Sequence, residues 1–235
     1  MAHKKTNMTE LEIKQKAMRM FFENGFSNTT VKAISKELGI STGNLTFYFP
    51  TKEHLLFELT KELTVFHSNC IEDAVKKSHD NLFSYCLEVV AQIVSCESNP
   101  NVKDIYLAIY SYPMTLDYIR NWTARKNYKL LGELLPEWSL ERFRRAETVT
   151  CCIERSALTE ECTEEYTLED KIKLILTCLL KIYDVNQEDR ENVINKILKT
   201  DYKKISGMLL KQLTRYIEKY NQQVIDEAIK ERKAV

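Results

Sequence analysis

At 235 residues the chain has room for one large domain or two small ones, and a hydrophobic fraction of 44% is enough to bury a core. Lysine plus arginine and aspartate plus glutamate balance at 34 each, so bulk charge does not draw the molecule onto nucleic acid or an anionic membrane. The polar opening MAHKKTNMTE is not a signal segment, and no run reaches the roughly 20 apolar residues of a membrane span, which leads to the expectation of a cytoplasmic protein with no membrane contact.

Breakers set the order of elements. Of only five glycines, Gly25, Gly39 and Gly43 fall early, and Gly132 and Gly207 stand alone later; the four prolines are Pro50, Pro100, Pro113 and Pro136. Such sparse punctuation, without valine-rich alternating runs, predicts an all-α protein. In chain order the helices are expected at 9–24, 30–38, 42–49, 52–77, 80–96, 101–111, 114–134, 139–160, 167–184, 188–199 and 201–231. No repeat or low-complexity linker separates them. The expected division is a helix-turn-helix domain over 1–51 and a larger helical domain over 52–235, joined through the helix that begins at Lys52.

The stretch from Phe21 to Lys52 holds the most information. Ile13, Ala17 and Phe21 share one helical face, and Gly25 ends that helix because glycine adopts left-handed dihedrals without a Cβ penalty. Phe26 is placed to fold back over the last turn. Thr29 or Thr30 can cap a second helix with an inward stripe of Val31, Ile34 and Leu38. Gly39, Ile40 and Ser41 form a tight break, with Ser41 a cap for a third helix that must stop by Pro50. Thr51 can cap the fourth, whose Leu55, Leu59, Leu63 and Phe66 have core spacing. A short helix, a tight turn and a second short helix are the grammar of a helix-turn-helix.

Together Ile13, Ala17, Phe21, Gly25, Phe26, Thr30, Ile34, Gly39, Ile40, Ser41, Gly43, Leu45, Tyr48, Phe49, Lys52 and Leu55 resemble the DNA-binding domain of the TetR (tetracycline-repressor) family of transcriptional regulators, over about residues 8–60. Thr46 departs from the pattern, since members often carry tyrosine there. A recognition helix enters the major groove by its N-terminal residues, so Thr42, Gly43, Asn44 and Thr46 are the candidates to lie at base edges; Asn44 has an amide suited to an adenine edge. Leu45 and Phe49 should face the core, with Phe47 and Tyr48 between core and groove wall. The resemblance implies that Phe47, Tyr48, Lys52 and Thr30 lie against phosphates. Charge supports this weakly, because residues 1–60 carry eight basic against six acidic side chains.

The same resemblance implies a homodimer on a palindromic double-stranded DNA operator, and a second domain that senses a small-molecule effector and thereby releases the operator. The aromatic set Tyr85, Tyr106, Tyr110, Tyr118 and Trp122, with Met114, is the candidate pocket lining. Ile153, Ile172, Ile175, Leu176, Leu179 and Tyr183 are the candidate dimer contact, half of a four-helix bundle, with an intramolecular core as the competing assignment. Segment 188–235 has the spacing of packed helices, and its role is unassigned. The seven cysteines lie in apolar patterns without C-x-x-C spacing and read as buried free thiols; no cofactor or metal is expected. Four histidines without H-E-x-x-H, and no G-x-S-x-G or phosphate-cradling loop, argue against an enzyme. The alternative is a helical interaction protein of the same fold that does not bind DNA.

Overall fold

The computed structural model describes residues 2–78 and 80–216, with side chains described over 10–66 and 80–216. These residues form helices and no strands. In chain order they are α1 (Ala2–Asn24), α2 (Val31–Leu38), α3 (Thr42–Tyr48), α4 (Lys52–Ser78), α5 (Asn81–Ser98), α6 (Pro100–Ile109), α7 (Pro113–Leu131), α8 (Leu140–Thr159), α9 (Leu168–Ile182), α10 (Gln187–Leu198) and α11 (202–216, as far as it is described).

Local chemistry accounts for most boundaries. Asp80, Asn99, Ser139, Thr167 and Asn186 each cap the helix that follows with a side-chain oxygen, and Thr167 with Asp170 closes a full capping box. Pro100 and Pro113 occupy first turns, where a missing N–H costs nothing. Two expected ends move. α1 starts at Ala2 rather than at residue 9, with no glycine or proline to stop it, and α7 stops at Leu131 because the chain turns through Gly132 ahead of Pro136.

Two large apolar clusters organise the molecule, and a smaller third holds Cys96, Val102, Tyr110, Cys151 and Leu158. The first gathers Ile13, Ala17, Phe21, Phe26, Ile34, Leu45 and Phe49 of the head, which is α1 to α3 with their turns, with Leu55, Leu56, Leu59, Leu63 and Phe66 of α4, and continues into Ile105, Ala108 and Ile109 of α6. The second fills the space between α5, α7, α8, α9 and α10, with Phe143, Leu176 and Tyr183 among its fully buried members. α4, which at 27 residues is about 40 Å long, leads from one to the other.

The residues expected at a dimer contact lie in the core of the single chain. Ile172, Ile175, Leu176, Leu179 and Tyr183 are at most 4% exposed within a single chain, and Ile153 is half-buried against the same core. The apolar stripe of α9 packs on α5, α8 and α10, so it leaves no surface for a second copy. The cysteines divide as well. Cys86, Cys96 and Cys151 are buried thiols, whereas Cys152 is exposed and Cys162 and Cys178 are half-buried; the Cys70 side chain lies outside the described residues.

The described part of the C-terminal segment is a brace, and the rest of the helix expected over 201–231 lies outside the described residues. Ser206 on α11 meets Ser95 of α5 in a buried 2.7 Å hydroxyl pair, Leu213 joins the head cluster, and the Tyr216 hydroxyl donates to Glu62 of α4 at 2.9 Å.

Candidate functional site

The head is built by three local devices. Gly25, at φ +84°, reverses the chain after α1, and its N–H bonds the Phe21 carbonyl at 2.9 Å. Phe26 then tucks back with its ring 5.2 Å from that of Phe21. Of the two threonines able to cap α2, Thr30 does so, accepting from the Ala33 N–H at 3.1 Å; Thr29 is buried and its hydroxyl donates to the Gly25 carbonyl. Gly39, at φ +65°, ends α2 with its N–H on the Lys36 carbonyl, while the Ile40 N–H reaches Ser35. Ser41 caps α3 by accepting from the Asn44 N–H at 3.1 Å. Thr51 instead places its hydroxyl 3.0 Å from the His54 ring nitrogen.

This geometry holds α3 outward. Leu45 and Phe49 are buried in the head core, while Thr42, Gly43 and Asn44 are exposed together at the N-terminal end. The Thr46 hydroxyl donates back to the Thr42 and Gly43 carbonyls, at 3.1 and 3.2 Å, so it has no free donor for a base. Phe47 does not straddle the core: it is 76% exposed, standing edge-on to the half-buried Tyr48 with ring centres 5.2 Å apart. Thr30 is exposed at the start of α2.

Lys52 is partly engaged inside the head. Its ammonium donates to the Phe26 carbonyl at 2.9 Å and sits 4.1 Å over the Phe26 ring, and burial pulls its pKa below the ordinary lysine value. Two of its three N–H donors remain after that bond. Sequence reasoning gave little weight to Lys32 and Lys36, both exposed on α2 and in no ion pair among the described residues. Their free charge was masked by the neutral total.

Beneath α4 lies a small cleft, open to solvent along one part, with a cavity of about 50 Å³. Of the candidate pocket residues, Tyr85, Tyr106, Tyr110 and Trp122 line it, and Met114 and Tyr118 do not. The Tyr118 ring packs edge-on against Phe57 of α4, with its hydroxyl 3.3 Å from Thr64. The aromatic pattern missed the cleft's polar members: Thr60 and Thr64 of α4, Glu88 and Gln92 of α5, Lys126 of α7 and Glu154 of α8. A signal did exist, since Glu147, Thr150, Cys151, Glu154 and Leu158 repeat at helical spacing and put two carboxylates on the inward stripe of α8.

The polar network is specific. Lys126 is paired with Glu88, Gln92 donates to the Tyr110 hydroxyl at 2.9 Å, and that hydroxyl donates to Glu154 at 2.5 Å. Behind it Glu147 accepts from Tyr183, from Thr150 at 3.0 Å and from Asn127 at 3.1 Å. Burial pushes Glu154 up to about 7 against the donor bond from Tyr110, with Glu147 adding repulsion, and burial also raises Glu147. No group of metal-ligating side chains occurs among the described residues, and no described helix is long and apolar enough to cross a membrane.

The cleft is tied to the head through α6. The N-terminal half of α6 holds the turn after α1: Asp104 accepts from the Ser27 N–H at 2.7 Å and from its hydroxyl at 2.5 Å, and Asn101 donates to the Phe22 and Glu23 carbonyls. Tyr106, Ile109 and Tyr110 on its later turns face the cleft.

No curated protein matches the chain. Residues 13–59, from the first buried isoleucine of α1 to the second turn of α4, match the family model of bacterial regulatory proteins of the tetR family. With a capped, outward-facing α3 inside the matched span, this N-terminal part of the chain is a DNA-binding domain of the tetR type, which supports a DNA-binding transcriptional regulator.

Proposed function

We propose that the protein is a ligand-responsive repressor that binds a palindromic operator as a homodimer in the cytoplasm. One observation carries the DNA-reading surface: Thr42, Gly43 and Asn44 stand exposed together at the free end of a helix whose other face is locked by Leu45 and Phe49. In this reading Asn44 addresses a base edge, Gly43 lets the backbone approach, Phe47 and Thr46 offer apolar contact, and Thr30, Tyr48, Lys52 and the α2 lysines meet phosphates. Two heads are needed for selectivity, set about 34–36 Å apart or at a larger groove-matched distance.

For pairing, the outward faces of α8 and α9 replace the buried stripe first considered. Val149 is 49% and Leu174 is 54% exposed, with Cys152 exposed and Cys178 half-exposed on the same two helices. An effector in the cleft touches both α4 and α6, which carry and clasp the head, so it can favour a spacing that no longer fits the groove. A swing from 1:99 to 99:1 needs about 5.5 kcal/mol of differential binding.

The test is a mobility shift with the DNA upstream of the protein's own gene, at low and moderate salt. Salt-sensitive binding that prefers a palindromic fragment is expected. Equal binding to every fragment, or none, overturns operator reading. That outcome favours a helical interaction protein, a reading supported by the thin positive charge of the head.

A further inference from the structure

The cleft has a chemical bias that its aromatic walls alone do not reveal. Among the described residues three charged side chains reach it, Glu88, Glu154 and Lys126, and Lys126 is bound to Glu88. Glu154 is left with one protein partner, the Tyr110 hydroxyl on Oε2, and its Oε1 accepts no hydrogen bond among the described residues. It lies deep in the protein yet keeps part of its surface toward the cavity. Beside it the Trp122 ring already takes a positive charge on its face, with the Lys126 ammonium 5.2 Å from the ring centre.

Resting on the reading of this cleft as the effector site, we propose that the effector is a lipophilic organic cation, an amine, amidine or quaternary ammonium, with its positive centre against Glu154 and its apolar body against Trp122, Tyr85, Tyr106 and Tyr110. A neutral ligand of the same shape would leave the second oxygen of a desolvated carboxyl without a partner, and an anion would meet one carboxylate in excess of the described cations. The cationic centre supplies the missing counter-charge, and the rings supply both apolar contact and negative faces.

Proton linkage follows. Among the described residues, the titratable and charged groups facing Glu154 are Tyr85 and Glu88 on α5, Tyr106 on α6 and Tyr110 at its end, Lys126 on α7, Glu147 and Cys151 on α8 and Tyr183 at the end of α9. In the range pH 6–8 Glu154 is the member raised to about 7. A cation binds the ionised carboxylate, so its affinity rises as pH passes upward through that value, and loses about tenfold between pH 8 and pH 6.

The experiment uses the full chain without DNA and three probes: benzyltrimethylammonium, its neutral isostere neopentylbenzene, and phenylmethanesulfonate. Binding is followed by calorimetry and by quenching of tryptophan fluorescence, since Trp122 lines the cleft. At pH 8 the cation is expected to bind at least tenfold more tightly than the isostere, with the sulfonate weakest. Glu154→Gln should abolish both the preference and the pH dependence. Tyr110→Phe, which removes the donor to the carboxylate, should move the midpoint of the pH dependence upward, an effect that mere loosening of the fold would not produce. Equal binding of cation and isostere, preference for the sulfonate, or no binding of the cation overturns the proposal. The same probes added to a protein–DNA complex test the other reading separately: release of DNA by the neutral isostere alone keeps the regulator ligand-responsive and removes the cation, whereas selective cation binding without release keeps the cation and removes the response.

Discussion

Asn44 has its backbone N–H held by Ser41 and its side chain exposed at the third position of α3, so its amide is free for an adenine edge. Asn44→Ala should cost about 1–3 kcal/mol of discrimination at one base per half-site and leave thermal stability unchanged; binding measured across single-base operator variants checks it. Glu154 supports a different prediction. Its ordinary value of 4.5 is raised in the native state to about 7, so between those values the folded protein holds a proton that the unfolded chain has released. Stability from this group is therefore full below pH 4.5 and is lost as pH rises through 7, by at most about 3 kcal/mol. Unligated protein should gain less from Glu154→Gln at pH 5 than at pH 8, as read from urea unfolding at the two values. Side chains of these two kinds were not equally legible. Asn44 could be placed from its distance to Gly39 and Ser41, because helix position follows from local spacing. Spacing puts Glu154 on the inward stripe of α8 but not in the cleft, because its surroundings depend on Tyr110 and Glu88, which are 44 and 66 positions away in the chain.

At the scale of elements, α6 acts through both its ends, clasping the head with Asn101 and Asp104 and facing the cleft with Tyr106 and Tyr110. A Cβ on Gly25 would stand 2.8 Å from the Asp104 carboxylate, and the backbone there is left-handed. Gly25→Ala should then destabilise by about 1–2 kcal/mol through the dihedral alone and also displace Asp104, lowering the melting temperature. Asp104→Ala leaves the Gly25 backbone intact and removes two bonds to Ser27. It should lower stability less than Gly25→Ala, yet weaken the effect of ligand on DNA binding, seen by comparing operator affinity with and without the cation. The helix boundaries were largely visible in the sequence because caps, glycines and prolines act within four residues. α9 was misread for the opposite reason: its apolar residues look like surplus surface until α5 and α10 are folded against them. Lys171 shows the same blindness, a lysine with no exposed side chain, joined to Glu97 of α5 at 2.8 Å and to the Glu160 carbonyl at the end of α8.

For the whole molecule, the two large clusters divide labour between a reading head and a helical body, with α4 shared by both. If two bodies pair through the outward faces of α8 and α9, Val149→Glu and Leu174→Glu together should convert dimer to monomer by sedimentation equilibrium and abolish preference for a palindrome. Helix content should hold, since both side chains are exposed in the single chain. The tetR-type domain and the all-α class were legible because they reside in a contiguous stretch and in overall punctuation. The path of segment 188–216 was not, because it is fixed by distant partners. That path has its own consequence. Glu62 receives the Lys14 ammonium of α1 at 3.1 Å on one oxygen and the Tyr216 hydroxyl of α11 at 2.9 Å on the other. The beginning and the far end of the fold thus share a single carboxylate as their common anchor. A chain shortened after Thr200 should grip its operator more loosely in a filter-binding titration, although nothing removed from α11 belongs to the surface that reads DNA.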